Sequence, residues 1–191
     1  MKDLKGTQTE KNLLASFAGE SQARNRYDFC AKAAKKEGYE QISAIFAETA
    51  ANEKEHGKKF FRFLQGGDLE ITASYPAGVV GTTAENLAAA AAGEYHEWTV
   101  LYKEAADVAD QEGFPDVAVA FRQIAKVEVE HEKRFRALLK NIEEGKVFKK
   151  ANPVKWKCRN CGYVHEGTEA LEICPACQHP QAHFEIKDEN Y

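Results

Sequence analysis

Two short motifs constrain this chain more than anything else in it: Glu53-Lys54-Glu55-His56 and Glu128-Val129-Glu130-His131. In each, a glutamate and a histidine stand three residues apart, so on a helix they leave from nearly the same face. A carboxylate and an imidazole placed that way can hold one metal ion. Each copy follows a lone glutamate, Glu20 or Glu94, by a similar interval. A Glu from each of two helices and a Glu-x-x-His from each of two others is the ligand set of a four-helix bundle that holds two metals.

The surrounding sequence repeats with the motifs. Ala18-Gly19-Glu20 answers Ala92-Gly93-Glu94, and Glu37-Gly38-Tyr39 answers Glu112-Gly113-Phe114. Phe46, Glu53, His56 and Phe60 answer Phe121, Glu128, His131 and Phe135 at identical spacing. This repeat predicts two helical pairs about an approximate two-fold axis, with the metal-binding side chains meeting near it. Apolar periodicity agrees. Leu14, Phe17, Glu20, Arg24 and Tyr27 recur at helical steps, which predicts a first helix over about residues 7–36. The inward stripe of a second, over about residues 39–65, includes Ile42, Phe46, Thr49, Glu53, His56 and Phe60; Gly66-Gly67 stops it. Residues 67–82 contain Pro76 and several glycines and suit a long crossover between the pairs. Thr83 is the expected N-cap of a third helix that runs to about Gln111. Pro115 fits the first turn of a fourth, which ends near Gly145.

Glutamates on an apolar stripe are costly. An isolated buried carboxylate costs several kcal/mol or becomes neutral, so this set calls for cations. Carboxylates and imidazoles suit iron or manganese, and zinc less exclusively. Tyr27 lies two turns after Glu20, and Tyr102 slightly more than two turns after Glu94, so either hydroxyl can donate to a ligand carboxylate. His96 is turned to the opposite side of its helix from Glu94 and is a non-ligand. Glu55 and Glu130 point off the stripe into solvent.

The formal net charge of -4 offers no basic face for nucleic acid. No apolar run reaches membrane-spanning length. The first residues have no apolar core or cleavage pattern, so a cytoplasmic protein is expected. Of the five cysteines, Cys30 stands alone and reads as an inert thiol. The others form two knuckles, Cys158-Arg159-Asn160-Cys161-Gly162-Tyr163 and Cys174-Pro175-Ala176-Cys177. Each pair can wrap one side of a tetrahedral ion, and four thiolates suit zinc or a single iron. They complete the shell, which leaves His165, His179 and His183 without a ligand role. Residues 154–191 are too few to fold on apolar burial alone. The expected organisation is a bundle over residues 1–145, a polar linker over 146–153 and a metal-stapled module over 154–191.

With the two Glu-x-x-His motifs, Glu20, Glu94 and the knuckles bearing Gly162 and Pro175, the chain resembles the rubrerythrin family over essentially its whole length. The short interval between the knuckles is not that of free-standing rubredoxins and matches the rubrerythrin version. The resemblance implies a mainly α protein: a ferritin-like four-helix bundle with one long crossover, then a small rubredoxin-like domain in which Trp156, Tyr163 and Phe184 cover the metal. It implies a di-iron centre held by Glu20, Glu53, His56, Glu94, Glu97, Glu128 and His131. One iron would exchange Glu97 in the oxidised state for His56 in the reduced state, with Tyr27 and Tyr102 beside the site. Cys158, Cys161, Cys174 and Cys177 would hold a single iron. The implied activity is a peroxidase that reduces hydrogen peroxide to water in oxidative-stress defence, in a homodimer or larger homo-oligomer. Its electrons would come from an NAD(P)H-dependent reductase or a rubredoxin-type carrier. No strand–Gly-x-Gly-x-x-Gly–helix unit marks a Rossmann dinucleotide site in this chain. The alternatives are a ferroxidase or iron-storage protein, which treats iron as substrate, and a structural protein with a zinc ribbon.

Overall fold

Thr7 opens the first helix by accepting a hydrogen bond from the Glu10 amide. The computed structural model describes residues 3–190; Met1, Lys2 and Tyr191, at the ends of the two expected units, lie outside it. Helix α1 spans Gln8–Lys36 and α2 spans Glu40–Phe61. Between them Gly38 takes φ 84, and the amides of Gly38 and Tyr39 return to the carbonyls of Lys35 and Ala34. Only a residue tolerant of positive φ closes a helix in this way. The second pair repeats it: Gly113 takes φ 79, and the amides of Gly113 and Phe114 return to Asp110 and Ala109.

After α2 the chain crosses over without helix or strand as far as Thr82. Thr82, not Thr83, is the cap of α3 (Thr83–His96). Glu85 stands three residues on and completes a reciprocal capping box with Thr82. Two adjacent threonines offered the same chemistry, and the position of Glu85 chose between them. The expected third helix is continuous but not uniform. It runs as α3, a π turn over Glu97–Leu101, and α4 over Tyr102–Gln111. Helix α5 spans Pro115–Glu143.

The pair α1–α2 packs against the pair formed by α3–α4 and α5. Two apolar layers result. One includes Leu13, Phe60, Tyr102 and Phe121; the other includes Tyr27, Ile42, Phe46, Leu87 and Phe135. The repeat is visible in their rings. Phe60 lies 4.7 Å from Phe121 and Phe46 lies 5.1 Å from Phe135, so repeat-related residues exchange partners across the axis. The ends interlock as well. The Glu37 carboxylate accepts from the Thr83 amide at the start of α3, and the Glu112 carboxylate accepts from the Gln8 and Thr9 amides at the start of α1. A negative charge at a helix N-terminus meets both the free amides and the positive end of the helix dipole.

The C-terminal module is a three-stranded antiparallel sheet of order β2-β1-β3, with β1 over Lys149–Cys158, β2 over Val164–Glu169 and β3 over Phe184–Ile186. Strand β1 begins inside the segment expected as a linker. Its Lys149 pairs with Glu169, ahead of an irregularity that ends at Val154. Phe148 stacks on Tyr39 at 6.1 Å, and Ala182 lies against Gly38, so the module rests on the α1–α2 corner of its own chain. Its core is Trp156, Ala170, Phe184 and two of the cysteines.

Candidate metal centres

Glu53 and His56 from α2 and Glu128 and His131 from α5 face each other between the two apolar layers. Glu20 from α1 and Glu94 from α3 complete the group. It resolves into two four-residue clusters: Glu20, Glu53, His56 and Glu128, and Glu53, Glu94, Glu128 and His131. In each, one atom per residue lies within 4.8 Å of the others. Glu53 and Glu128 belong to both, as two bridging carboxylates would. The approaches again cross between repeats. His56 Nδ1 is 2.8 Å from Glu53 and 3.0 Å from Glu128; His131 Nδ1 is 2.8 Å from Glu128 and 3.3 Å from Glu53. Each tyrosine serves the other half: Tyr27 donates to Glu94, and Tyr102 donates to Glu20.

The buried atoms left over reveal what this arrangement is for. Both oxygens of Glu53 and Glu128, one oxygen each of Glu20 and Glu94, and Nδ1 of His56 and His131 are buried with no hydrogen-bond partner outside the group itself among the described residues. Buried polar atoms are almost always satisfied, and these all point into one space. Cations are what they lack. The electrostatics agree. Burial, then the charges of Glu97, Glu53 and Glu128, push Glu20 well above the usual carboxylate range. Burial lifts Glu94 to about 7. Burial would lower both histidines, but the carboxylates beside them outweigh it and hold His56 at about 9 and His131 at about 12.

Glu97 belongs to neither cluster. It opens the π turn, and burial and the charges of Glu94, Glu128 and Glu53 raise it well above its ordinary value. Its carboxyl is therefore within electrostatic reach of the site, while His56 occupies the cluster. The π turn explains why Tyr102 reaches Glu20. Glu20 and Glu94 are 74 residues apart, but Glu37 and Glu112 are 75 apart, as are Glu53 and Glu128. The second half thus carries one extra residue between Glu94 and Glu112. The wide turn absorbs it, with the Tyr102 amide bonding to the Glu97 carbonyl. Sequence reading missed the π turn, though this change of interval was its signal. It also missed the Trp98 indole, which donates to Glu132 at 2.6 Å and ties the π turn to α5 beside His131.

The residues expected to be non-ligands lie outside both clusters. His96 is exposed, and Glu55 and Glu130 pair in solvent with Lys58 and Lys133. Cys30 is buried and free.

In the module, the four cysteine sulfurs lie within 4.8 Å of one another. Cys158 and Cys177 are 3.7 Å apart, and Cys161 and Cys174 are 3.6 Å apart. A tetrahedron with metal–sulfur bonds of about 2.3 Å has edges of about 3.8 Å, so the sulfurs fit one ion. The knuckles match each other. The amides of Gly162 and Gln178 return to the carbonyls of Cys158 and Cys174, and the Cys158 and Cys174 amides bond to the Tyr163 and His179 carbonyls. Gly162 takes φ 80, and Gln178 accepts the same left-handed region at φ 61. The His179 backbone N–H draws the Cys177 thiol down to about 6. His165, His179 and His183 lie outside the four-cysteine cluster. Trp156 and Phe184 are buried beside it, with Tyr163 partly so.

Comparison with known proteins follows the same division. Residues 11–148 match the family model Rubrerythrin, and residues 156–185 match its rubredoxin-like domain. The chain is 61% identical to the rubrerythrin of Porphyromonas gingivalis over 190 residues, covering all of this chain and 95% of that one. It is 57% identical to the rubrerythrin of Nitratidesulfovibrio vulgaris over the full length of both. Among solved structures, the fully reduced, all-ferrous state of nigerythrin matches with TM-score 0.64 and 31% identity, over 97% of this chain and 89% of that one. No helix among the described residues is long and apolar enough to cross a membrane. The chain belongs to the rubrerythrin family of oxidoreductases, its ferritin-like bundle built for a di-iron centre and its rubredoxin-like domain for one iron on four cysteines.

Proposed function

We propose that the bundle is a non-haem di-iron peroxidase that reduces hydrogen peroxide to water in the cytoplasm, refilled with electrons through the four-cysteine iron. One observation carries this reading: two ligand clusters that share Glu53 and Glu128 stand in one chain with a tetrathiolate site. A ferroxidase needs the first and has little use for the second. When bound, the two irons together supply the two electrons that cleave the oxygen–oxygen bond, and two protons complete two waters.

The residues of the chain hold this chemistry in place. Glu20 and His56 would serve one ion, Glu94 and His131 the other, and Glu53 and Glu128, which belong to both clusters, would serve both. Glu97, outside the two clusters but within electrostatic reach of them, would be the alternative to His56 as a ligand, taken up in the oxidised state and given up in the reduced one. Tyr27 and Tyr102 fix Glu94 and Glu20 by their hydroxyls. Burial, then the nearby carboxylates, raises both phenols well above their usual range, so they stay protonated donors. Cys158, Cys161, Cys174 and Cys177 would hold the relay iron. Cys161 is exposed and gives an external donor its closest approach. That donor is an NAD(P)H-dependent reductase or a rubredoxin-type carrier. The module rests near Tyr39, roughly 20 Å along α2 from Glu53 at 1.5 Å per residue. That separation supports transfer between chains of a homodimer or larger assembly.

Rapid mixing tests the reading. Reduced, iron-loaded protein should recover its ferric-thiolate colour quickly with hydrogen peroxide and much more slowly with dioxygen. A faster reaction with dioxygen, with continued uptake of ferrous iron, would make it a ferroxidase instead.

A further inference from the structure

The repeated Ala-Gly-Glu segments place a glycine just before Glu20 and just before Glu94, inside α1 and α3. Glycine is the poorest helix former after proline, and neither position has a positive φ that would require it. Packing does not require it at Gly93 either, since a Cβ there would meet nothing within 4 Å. At Gly19 a Cβ would meet only Tyr75, at 3.6 Å. Both glycines line a cavity of about 620 Å³ between α1 and the α3–π–α4 helix, and Glu97 and Tyr102 line it too. Both residues also belong to the metal site's surroundings: Tyr102 bonds Glu20, and Glu97 lies within reach of Glu94, Glu53 and Glu128. The crossover lies over the cavity and is fastened by the Tyr75 hydroxyl, which donates to the Ala15 carbonyl at 2.6 Å.

A second opening touches the site from the α2–α5 side, where Asn52, Arg134 and His131 line a shallower hollow. There the His131 side chain is buried, and Arg134 is fixed to Glu48 and Thr49. On the α1–α3 side two glycines, Gly19 and Gly93, stand in the wall beside Glu97 and Tyr102.

We propose that the cavity between α1 and the α3–π–α4 helix is the path by which peroxide reaches the metal pair, that Gly93 and Gly19 keep it open, and that Tyr75 sets the size of peroxide admitted. The specificity part rests on the peroxidase reading. Small hydrogen peroxide passes beneath Tyr75, and branched alkyl hydroperoxides are excluded.

The test uses the full-length, iron-loaded protein. Gly93→Leu fills the cavity with a better helix former, and Gly93→Ala is its mild control. In the reduced protein, Gly93→Leu should slow oxidation by hydrogen peroxide at least about tenfold, and Tyr75→Ala should raise the rate with tert-butyl hydroperoxide relative to hydrogen peroxide by a similar factor. In the oxidised protein, azide followed by absorbance gives a readout free of turnover. Gly93→Leu should slow its association and dissociation alike and leave its affinity within about twofold, as a narrowed path does and a damaged site does not. Should the wild-type protein ignore peroxide, the peroxidase reading falls, and the azide rates still decide the path. Unchanged azide rates in Gly93→Leu, or a lost affinity with an unchanged association rate, would overturn the proposal.

Discussion

In the bundle, the seven-residue step from Glu20 to Tyr27 becomes eight between Glu94 and Tyr102. In the cysteine module, the glycine of the first knuckle, Gly162, becomes Gln178 in the second. Both metal sites stand on an internal two-fold repeat, and each repeat is broken once, with different results. The π turn brings a seventh carboxyl or imidazole group, Glu97, to one side of the bundle site and makes its two halves unequal. The exchange at Gln178 leaves four cysteine sulfurs in one cluster and changes the residue type at one turn of the backbone. Under the proposed function, the centre that takes in an oxidant is the one with unequal halves, and the centre that relays electrons is the one whose four ligand residues are of a single type.

The largest test of this contrast is to remove one cysteine. A structural metal contributes about 10–16 kcal/mol to small metal-dependent folds, so Cys174→Ala should abolish amide protection across β1, β2 and β3. The helical circular dichroism should barely change, because the bundle has its own apolar layers. Hydrogen exchange read by mass spectrometry separates the two, and loss of bundle protection as well would show the corner contact at Tyr39 to be essential.

Within the bundle, Glu128→Ala should cost about 3–5 kcal/mol of metal binding, since it strips both ion positions at once. Glu97→Ala should keep both irons and yet slow peroxide turnover by about a hundredfold. Iron content beside stopped-flow rates would decide this, and equal iron loss in the two variants would make Glu97 an ordinary ligand.

The next effect is one of pH. In the metal-free bundle, Glu20 and Glu97 are raised from 4.5, and Glu94 is raised to about 7, chiefly by burial. His56 and His131 are raised from 6.5 to about 9 and 12 by carboxylates that outweigh burial. All five bind protons more tightly folded than unfolded. Their stabilisation is complete below the unfolded values and is lost as pH rises through the folded ones. Glu53 runs the other way: burial raises it, but His131 and His56 lower it further, so its contribution fades only in acid. The thermal midpoint of chelated protein should therefore fall by at least about 5 °C between pH 6 and pH 9. Iron-loaded protein should show little of this slope, because the ions take the place of the protons.

The smallest effect is at the broken knuckle. Relieving the left-handed conformation with Gln178→Gly should stabilise the module by about 1 kcal/mol, with the ferric-thiolate spectrum unchanged. Gly162→Ala should destabilise it by a similar amount, and thermal melts followed by that colour would measure both.

The six side chains that meet between the apolar layers were legible because a period of three or four residues fixes which side chains share a helical face. Glu20, Glu53, His56, Glu94, Glu128 and His131 needed nothing more. The exchange of tyrosines between halves was not legible, because Tyr27 could sit beside Glu20 or Glu94 until the helices were packed. The π turn left its mark only as a shift from 74 to 75 in the repeat interval, which appears once the two halves are aligned end to end. Strand β1 was hidden by Lys149 and Lys150, charged residues that suit an exposed edge as well as a linker.

The crossed carboxylates at the helix ends have a wider consequence. Glu37 ends the first helix of the first half yet closes the start of the second half, and Glu112 ends α4, midway through the second half, yet closes the start of the first. Each half carries the fitting for the other's open end, as two copies of a single ancestral hairpin would if they first met as separate chains. Cutting the crossover near Gly78 should therefore yield two fragments that find each other again and rebuild the bundle, with the peptide link between them serving only to keep them in the same place.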